Sequence, residues 1–407
     1  MAVQSHTPTA RRSPPHILTL VALVGVSTLA MNVFLPSLPA MADWFATDYA
    51  TIQLAVGGYL AMNACLQLVV GPLSDRYGRR PVILWGITLF MVATVGCLLA
   101  PDVETFLFFR LAQAAIVTAM VLSRAVVRDL YPQDKAASML GYVTMGMSVV
   151  PMVGPAIGGA LETSFGWQSN FWLLLGAGGA LWALAYLDLG ETAPQAGGSF
   201  RAQTRQYPEL LTSPRFWGYC AAAAFASGSF FAYLGGAPFV GRQIHGLTAA
   251  ELGLFFGAPA LGYFAGNGIS GRFSTTFGVD RMVLAGALLQ ASGLAALMMM
   301  LLAGAEGPWV FFGFMTFLGL GNGMVIPNAT AGMLSVRPHL AGTASGLGGA
   351  MMIGGGAALS VLAGWVLEHG GGEITLVALM LTSGAASVVA IALTIRRNRT
   401  LAARGVA

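Results

Sequence analysis

The sequence predicts an all-α membrane protein with twelve transmembrane helices in two six-helix bundles. Of its 407 residues, 56% are hydrophobic and only 9% are charged, and the mean hydropathy is +0.73. Soluble domains carry about 25% charged residues, so this chain is too apolar to be one. Twelve apolar runs of about 20 residues, the length that crosses a bilayer, follow one another between short polar breaks.

The breaks between these runs define the predicted organisation. The spans lie near residues 17–38, 51–70, 82–100, 105–123, 138–160, 170–187, 216–238, 248–270, 282–303, 309–331, 341–367 and 374–395. The one long polar break, residues 188–215, includes Pro194, Gly197, Gly198 and Pro208 and is interpreted as a linker. We therefore expect a tail (1–16), an N-terminal bundle (17–187), the linker (188–215), a C-terminal bundle (216–395) and a second tail (396–407).

The basic residues predict the orientation. All but two of the 20 basic residues fall on the side that holds both termini and the linker, the exceptions being Arg110 in span 4 and Arg242 after span 7. Because cytoplasmic segments collect Lys and Arg, we expect a multi-pass protein of the bacterial cytoplasmic (inner) membrane with both termini inside. The bases are scattered rather than striped along one face, so no nucleic-acid partner is expected. The expected surroundings are the lipid bilayer, and the expected state is a monomer.

Residues that would carry enzymatic chemistry are few. Cys65, Cys97 and Cys220 each lie in an apolar run, and the five histidines never fall within metal-ligand spacing. Neither a metal site nor a cofactor is predicted. The single lysine, Lys135, has no glycine-rich loop before it, which excludes a P-loop. A membrane-embedded enzyme would need a nucleophile with its base at membrane depth; no such pair is found, so the prediction is that the chain is not an enzyme.

A charged segment stands between spans 2 and 3. Residues 71–81 read GPLSDRYGRRP and are interpreted as a turn that carries Asp75, Arg76, Arg79 and Arg80. A shift of 200 residues repeats the glycines between spans 8 and 9 without the charge pair, which predicts two related halves. The segment resembles the signature loop of the major facilitator superfamily. The resemblance implies a gate made of Asp75, Arg76, Arg79 and Arg80, in which Arg79 pairs with Asp129 at the end of span 4 and Asp75 faces the start of span 11 when the protein faces outward.

Two further motifs lie inside spans. Span 5 contains Gly146, Gly154, Pro155, Gly158 and Gly159. This pattern resembles the antiporter motif of the same superfamily, and small residues of this kind allow helices to approach closely.

Span 4 contains Arg110 and, three residues later, Gln113. An intramembrane charge is functional by default, and the pair resembles the span 4 motif linked to proton transfer. The alternative is that Arg110 only binds carbonyl groups across the bundle.

The end of span 1, residues 31–39, reads MNVFLPSLP. Together with Trp167-Gln168, residues 124–129 and residues 341–345, it resembles the bicyclomycin/chloramphenicol resistance branch of the drug:proton antiporters. That branch usually carries Asp where this chain has Asn32. Every one of the 16 acids lies on a loop or at a span edge, so proton coupling would need an edge acid such as Asp129 or Glu251, or Arg110 with water.

The resulting functional prediction is an inner-membrane efflux transporter for amphenicol-type or other drugs, which works by alternating access and is driven by proton antiport. The alternative is a facilitator or symporter of a small metabolite such as an amino acid or sugar. The residues expected to bind the drug are Asn32, Phe34, Tyr59, Gln67, Arg110, Gln113, Phe230, Phe231 and Tyr233.

Overall fold

The computed structural model describes residues 15–130, 150, 153–192, 210–337 and 341–403. In this part of the chain there are twelve helical segments and no strand. The N-terminal bundle consists of α1 (Ile17–Asn32 and Leu38–Trp44), α2 (Tyr49–Tyr77), α3 (Arg79–Leu99), α4 (Val103–Ala112 and Val117–Leu130), α5 (153–165) and α6 (Gln168–Asp188). The C-terminal bundle consists of α7 (Pro214–Phe239, continued by a π-helix at Val240–Ile244), α8 (Ala249–Phe255 and Gly257–Phe277), α9 (Val279–Leu302), α10 (Pro308–Val336), α11 (Ala341–Glu368) and α12 (Glu373–Ala403).

Ten of the twelve described segments are long and apolar enough to cross a membrane. The other two are α5, of which only residues 153–165 are described, and α8, whose second half carries Asn267, Ser270, Arg272 and Ser274. For reference, we call the end of the molecule that holds the α2–α3 junction the Asp75 end. The opposite end, where α5 finishes, is the Glu162 end.

The junction between α2 and α3 is shorter than the sequence suggested. Residues 71–81 were expected to form a turn, and this was wrong: α2 continues to Tyr77, α3 starts at Arg79, and Gly78 alone separates them. Its φ of +96° is a conformation that glycine adopts without the steric penalty of a side chain. Gly278, with a φ of +81°, separates α8 from α9 in the same way. Both halves therefore turn on a single glycine, and the charged residues lie on helix ends.

Two helices of the N-terminal bundle are interrupted by 3-10 turns. The first part of α1 ends at Asn32, and a 3-10 turn at Leu35–Ser37 precedes its second part. Pro36 has no N–H to continue an α-helix. In α4 a 3-10 turn at Gln113–Ile116 begins three residues after Arg110. The α1 break leaves backbone carbonyls without intrahelical partners, and it is next to these that Arg110 lies.

Acids cap helices at the Glu162 end. Asp48 accepts a hydrogen bond from the backbone N–H of Thr51 at the start of α2, and Asp102 accepts one from Thr105 at the start of α4. The Thr51 side chain and backbone N–H lower the pKa of Asp48, and the Thr105 backbone N–H and side chain lower the pKa of Asp102, because these bonds favour the ionised carboxylate. Glu251 forms a capping box with Thr248 at the start of α8. These three acids therefore have structural tasks at helix starts.

The two bundles meet along α2–α11 and α5–α8. At Gly57 in α2, an added Cβ would lie 2.3 Å from the Val361 side chain of α11. At Gly159 in α5, it would lie 2.0 Å from the backbone oxygen of Ala249 in α8. At Gly253 in α8, it would lie 2.4 Å from the Pro155 oxygen of α5. Glycine is thus what allows the two bundles to touch.

Candidate functional site

The Asp75 end carries an ion-pair network inside the N-terminal bundle. The Arg79 guanidinium contacts Asp75 at 2.5 Å and Asp129 at 3.2 Å, and it also donates to the Ser74 hydroxyl. The pairing of Arg79 with Asp129 is the one expected from the sequence. The network joins the ends of α2, α3 and α4. The Arg79 side chain is only 9% exposed and that of Asp129 14%, so this pair is less screened by salt, whereas the Asp75 side chain is 37% exposed.

Glu191, just after α6, is a member of this network that sequence reasoning missed. Its carboxylate accepts the backbone N–H groups of Arg79 at 2.8 Å and of Arg80 at 3.2 Å. It thereby caps the N-terminus of α3, where unpaired N–H groups and the helix dipole favour an anion. Asp188 similarly accepts from the His16 N–H at 2.8 Å and from the Thr19 hydroxyl at the start of α1. The beginning of the predicted linker is therefore bound to the bundle.

The other two arginines of the predicted gate, Arg76 and Arg80, make contacts of their own outside the Arg79 ion pairs. Arg80 donates to the Tyr186 carbonyl of α6 at 2.9 Å and lies 5.0 Å from its ring centroid. Arg76 is exposed, 5.3 Å from the ring of Tyr77. Residues 338–340, before α11, lie outside the described residues, so the expected contact between Asp75 and the start of that helix stays a prediction.

Arg110 is fully buried at the centre of the N-terminal bundle. Its guanidinium carbon lies 4.2 Å from the ring centroids of both Phe34 and Tyr59. Its N–H groups donate to the Ala55 carbonyl of α2 at 3.1 Å and the Ala30 carbonyl of α1 at 2.9 Å. A cation between two aromatic faces gains cation–π attraction, which is stronger when water is excluded.

Gln113 completes the surroundings of this guanidinium. Its side-chain oxygen accepts from Arg110 at 2.7 Å, and its amide donates to the Thr94 hydroxyl of α3 at 2.8 Å. Within the part of the chain that the structure describes, the hydrogen bonds and ring contacts of the Arg110 guanidinium are all to neutral groups. Ala30 lies in the last turn before the α1 break, where free carbonyls and the negative end of the helix dipole favour a cation. The broken helix therefore offsets part of the desolvation of Arg110.

Asn32 ends the first part of α1. Its side chain is buried and donates to the Thr28 carbonyl at 2.8 Å. A Cβ added to Gly154 of α5 would lie 3.9 Å from the Asn32 Cβ, and one added to Gly158 would lie 1.7 Å from the Val33 oxygen. The α5 glycines thus pack against the α1 break on one side and against α8 on the other. Gly146 of the same motif lies outside the described residues.

The other predicted binding residues are not all in one place. Gln67, in α2, donates to Asn63 at 2.7 Å, and its oxygen lies 3.1 Å from the Cβ position of Gly349 in α11. In the opposite bundle, Tyr233 is fully buried, with its ring 5.3 Å from that of Phe256. Phe231 is nearly buried against Gly356, and Phe230 is half-buried beside it. Phe34, Tyr59 and Gln113 all contact the Arg110 guanidinium in the N-terminal bundle. The predicted aromatic residues of α7 lie in the C-terminal bundle.

At the Glu162 end, polar contacts cross between the bundles. Glu162 of α5 pairs with Arg242 at the end of α7, at 3.1 Å. The Tyr49 hydroxyl donates to the Gly235 carbonyl at 2.8 Å. The Gln53 amide donates to the Ser360 hydroxyl, also at 2.8 Å. None of these pairs was predicted, because each joins residues at least 80 positions apart and no local pattern marks them. They show that this end is closed in the conformation described.

Comparison of the sequence with known proteins identifies the family of this chain. The sequence model of the Major Facilitator Superfamily matches residues 20–360 and 242–405. The chain belongs to the Major Facilitator Superfamily. The chloramphenicol resistance protein of Pseudomonas aeruginosa is 30% identical over 346 residues, covering 80% of this chain and 79% of its own. The bicyclomycin resistance protein homolog of Haemophilus influenzae is 27% identical, covering 96% and 98%.

Comparison of structures shows the same fold. A bacterial homolog of the human lysosomal transporter Spinster, in an inward-facing and occupied conformation, superposes with a TM-score of 0.72 at 18% identity, covering 94% of this chain and 96% of its own. The predicted all-α facilitator fold and the resemblance to the bicyclomycin/chloramphenicol resistance branch are confirmed. This facilitator-family chain is a multi-pass membrane transporter of small molecules, and not an enzyme.

Proposed function

We propose that this transporter exports neutral, polar-aromatic drugs of the amphenicol type from the bacterial cytoplasm by proton-driven alternating access. The observation that carries the cargo class is the environment of Arg110. Among the described residues, its guanidinium contacts two backbone carbonyls, a side-chain amide and two aromatic faces, so a positive charge persists in the N-terminal bundle. The similarity of the chain to the Pseudomonas aeruginosa chloramphenicol resistance protein supports the same cargo class.

The size of this electrostatic effect can be estimated. A unit charge at about 10 Å, in a medium of effective dielectric constant about 20, interacts with a second unit charge by about 1.7 kcal/mol. That is a roughly 15-fold penalty on a cationic drug relative to a neutral one of the same shape. An acid at position 32 would remove much of this penalty. Asn32 instead offers hydrogen bonds without charge.

The proposed binding residues are those named from the sequence. In the conformation described, Phe34, Tyr59 and Arg110 cover one another and are buried. We propose that cargo meets them, together with Asn32 and Gln113, when the bundles rearrange. Gln67, Phe230, Phe231 and Tyr233 would complete the wall.

The proposed gate consists of Asp75, Arg76, Arg79, Arg80 and Asp129, and we add Glu191 because its carboxylate accepts the Arg79 N–H. The carboxylates of Asp75 and Asp129 bind the Arg79 guanidinium, and Glu191 caps the start of α3. These contacts hold together the ends of α2, α3 and α4 in the N-terminal bundle. The equivalent turn of the second half has Thr275 and Val279 in place of Asp75 and Arg79. The gate would therefore act from the N-terminal bundle, on the cytoplasmic side if both termini are inside.

Alternating access would use the α5–α8 contact at the opposite end. Gly159 and Gly253 allow backbone to meet backbone there, and small residues make such a contact easy to form and release. Proton antiport without an acid at position 32 would need another titratable group. The competing function is a facilitator or symporter of a small metabolite. A facilitator would move its cargo independently of protons, and a symporter would move cargo and protons in the same direction.

Growth protection tests the cargo class. An exporter-deficient bacterial strain expressing the chain should grow in higher concentrations of a chloramphenicol analogue than the strain with empty vector. Protection against a quaternary ammonium dye of similar size should be roughly 15-fold weaker, by the charge argument above. Strong protection against the dye alone would refute neutral cargo.

A further inference from the structure

A cavity of about 720 Å³ opens at the Asp75 end of the C-terminal bundle. It lies where α8 passes into α9 at Gly278, beside the start of α7 and the last turns of α12. The charged and amide side chains of its lining are those of Arg215, Asp280, Arg281 and Asn398. None of these residues belongs to the proposed gate or to the proposed cargo site. We call this space the α9 cavity.

The equivalent position in the first half of the chain holds an anion. There the Glu191 carboxylate accepts the N–H groups of Arg79 at 2.8 Å and of Arg80 at 3.2 Å, at the start of α3. It lies so close to the helix start that a Cβ added to Gly78 would be 2.4 Å from Glu191 Oε2. A glycine of positive φ followed directly by a helix therefore serves as an anion-binding site within this chain.

The second half repeats this junction without the carboxylate. Gly278 has a φ of +81°, and among the described residues no side chain caps the start of α9. A Cβ added to Gly278 would meet nothing within 4 Å. The first N–H groups of α9 and the positive end of its helix dipole therefore lie at the wall of the α9 cavity without the anion that α3 has.

Two arginines of the lining favour the same kind of ligand. The Nε atom of Arg215, at the start of α7, is buried and has no hydrogen-bond partner among the described residues. A buried charged donor without an acceptor is unfavourable, and an anion in the cavity would supply that acceptor. Arg281, in the first turn of α9, is exposed on the same wall. Guanidinium groups bind phosphate oxygens with two parallel hydrogen bonds.

One carboxylate, that of Asp280, also lines the α9 cavity, and both of its oxygens already accept hydrogen bonds. The Tyr219 hydroxyl donates to Oδ1 at 2.5 Å, and the Asn398 amide donates to Oδ2 at 2.9 Å. With two arginines and one aspartate, the described lining keeps one net positive charge. The Asn398 Oδ1 atom is buried without a donor, so it could accept a hydroxyl group carried by the ligand.

We propose that the α9 cavity binds a phosphate ester through Arg215, Arg281 and the first N–H groups of α9. A phosphate suits this lining better than a carboxylate, because it offers more acceptor oxygens to two guanidinium groups and a helix start. The headgroup of an anionic phospholipid and free phosphate share this chemistry. Phe277 and Leu401 form an apolar part of the wall that would suit acyl chains. The bound group would connect α7 with α9, as Glu191 connects the end of α6 with α3.

Native mass spectrometry of the full chain tests this site, because it counts bound lipids and needs no drug. The protein is purified in a neutral detergent, stripped of lipid, and mixed with phosphatidylglycerol or with phosphatidylcholine, whose phosphate is offset by a cationic amine. One phosphatidylglycerol should bind in preference to phosphatidylcholine. Arg215→Gln and Arg281→Gln should each weaken this binding by about tenfold or more, because each removes a charged donor.

Arg272→Gln is the matched control. Arg272 is an exposed arginine near the end of α8, its guanidinium lies 5.8 Å from the ring of Phe273, and it is not part of the cavity lining. This variant should bind phosphatidylglycerol as the unsubstituted protein does. Arg281 is exposed, so Arg281→Gln should fold normally and carries the test if Arg215→Gln is unstable.

Thermal unfolding with inorganic phosphate identifies the source of the ligand. A higher midpoint with phosphate alone, present in Arg272→Gln and absent in Arg281→Gln, would support the site and assign it to free phosphate. The same pattern with phosphatidylglycerol alone would support the site and assign it to the lipid. Binding of phosphatidylglycerol that is equal in all variants, equal binding of phosphatidylcholine, or no response to either phosphate source would overturn the proposal.

Discussion

Substitution of Gly159 by alanine tests how the bundles close at the Glu162 end. A Cβ at this position would lie 2.0 Å from the Ala249 backbone oxygen and 2.7 Å from its carbonyl carbon. Real Cβ atoms essentially never come within 3.0 Å of such an atom, so the helices must separate by about 1 Å. Both atoms are backbone, which no side-chain rotation can move aside.

The magnitude follows from the cost of overpacking. Inserting one methyl group into a tight contact costs about 1–3 kcal/mol, which corresponds to roughly 5- to 150-fold in an equilibrium constant. Because this contact lies between bundles, separation of α5 from α8 relieves the strain without unfolding either bundle. We therefore expect Gly159→Ala to destabilise the closed conformation by that factor, while the protein remains folded.

Thiol labelling measures this shift. In a background without native cysteines, Ser360→Cys places a thiol at the α2–α11 contact, where Ser360 is fully buried in the closed conformation. The labelling rate by a water-soluble maleimide should rise roughly 5- to 150-fold on adding Gly159→Ala. The matched control is Gly176→Ala in α6, where an added Cβ meets nothing within 4 Å, and it should leave the rate unchanged. Equal rates in the two variants would refute this account of closure.

Five further substitutions, at four positions, test the gate and the cargo site. Asp75→Asn should abolish export in vesicles with little loss of membrane expression on immunoblots, because Arg79 loses one of its two carboxylates; unchanged export would refute the gate. Glu191→Gln should lower the thermal midpoint of the purified protein, because the charged cap of α3 contributes about 1 kcal/mol; an unchanged midpoint would contradict the cap. Arg110→Ala should eliminate protection against every drug, whereas Arg110→Lys should keep some because lysine keeps the charge without the planar fork; full protection by the alanine variant would count against the site. Asn32→Asp should shift growth protection toward cationic dyes, and an unaltered preference would show that this position does not select charge.

The fold was predictable because it depends on composition and length. Apolar runs fix the spans, and the repeated glycines at 78 and 278 mark the same junction in both halves. The exact form of that junction was not predictable. The charged residues of 71–81 suggested a turn, but helix geometry persists to Tyr77 because Gly78 alone provides the positive φ that reverses the chain.

The candidate site was predictable only where its contacts are local. Arg110 and Gln113, three residues apart in one helix, fall on one side of it and meet as the i, i+3 spacing suggests. Glu162 gave no such signal, since its burial comes from Arg242, 80 positions away in the other bundle. The contacts of Glu191 with the α3 backbone likewise depend on how α6 packs against α3.

Drug uptake into everted membrane vesicles tests the proposed function most directly. Vesicles containing the chain, with their lumen acidified relative to the bath, should accumulate a labelled chloramphenicol analogue. A protonophore should collapse the accumulation, and vesicles with Arg110→Ala should show none. Accumulation of a quaternary ammonium cation in place of the analogue, or uptake that is indifferent to the pH gradient, would contradict proton-driven export of neutral cargo.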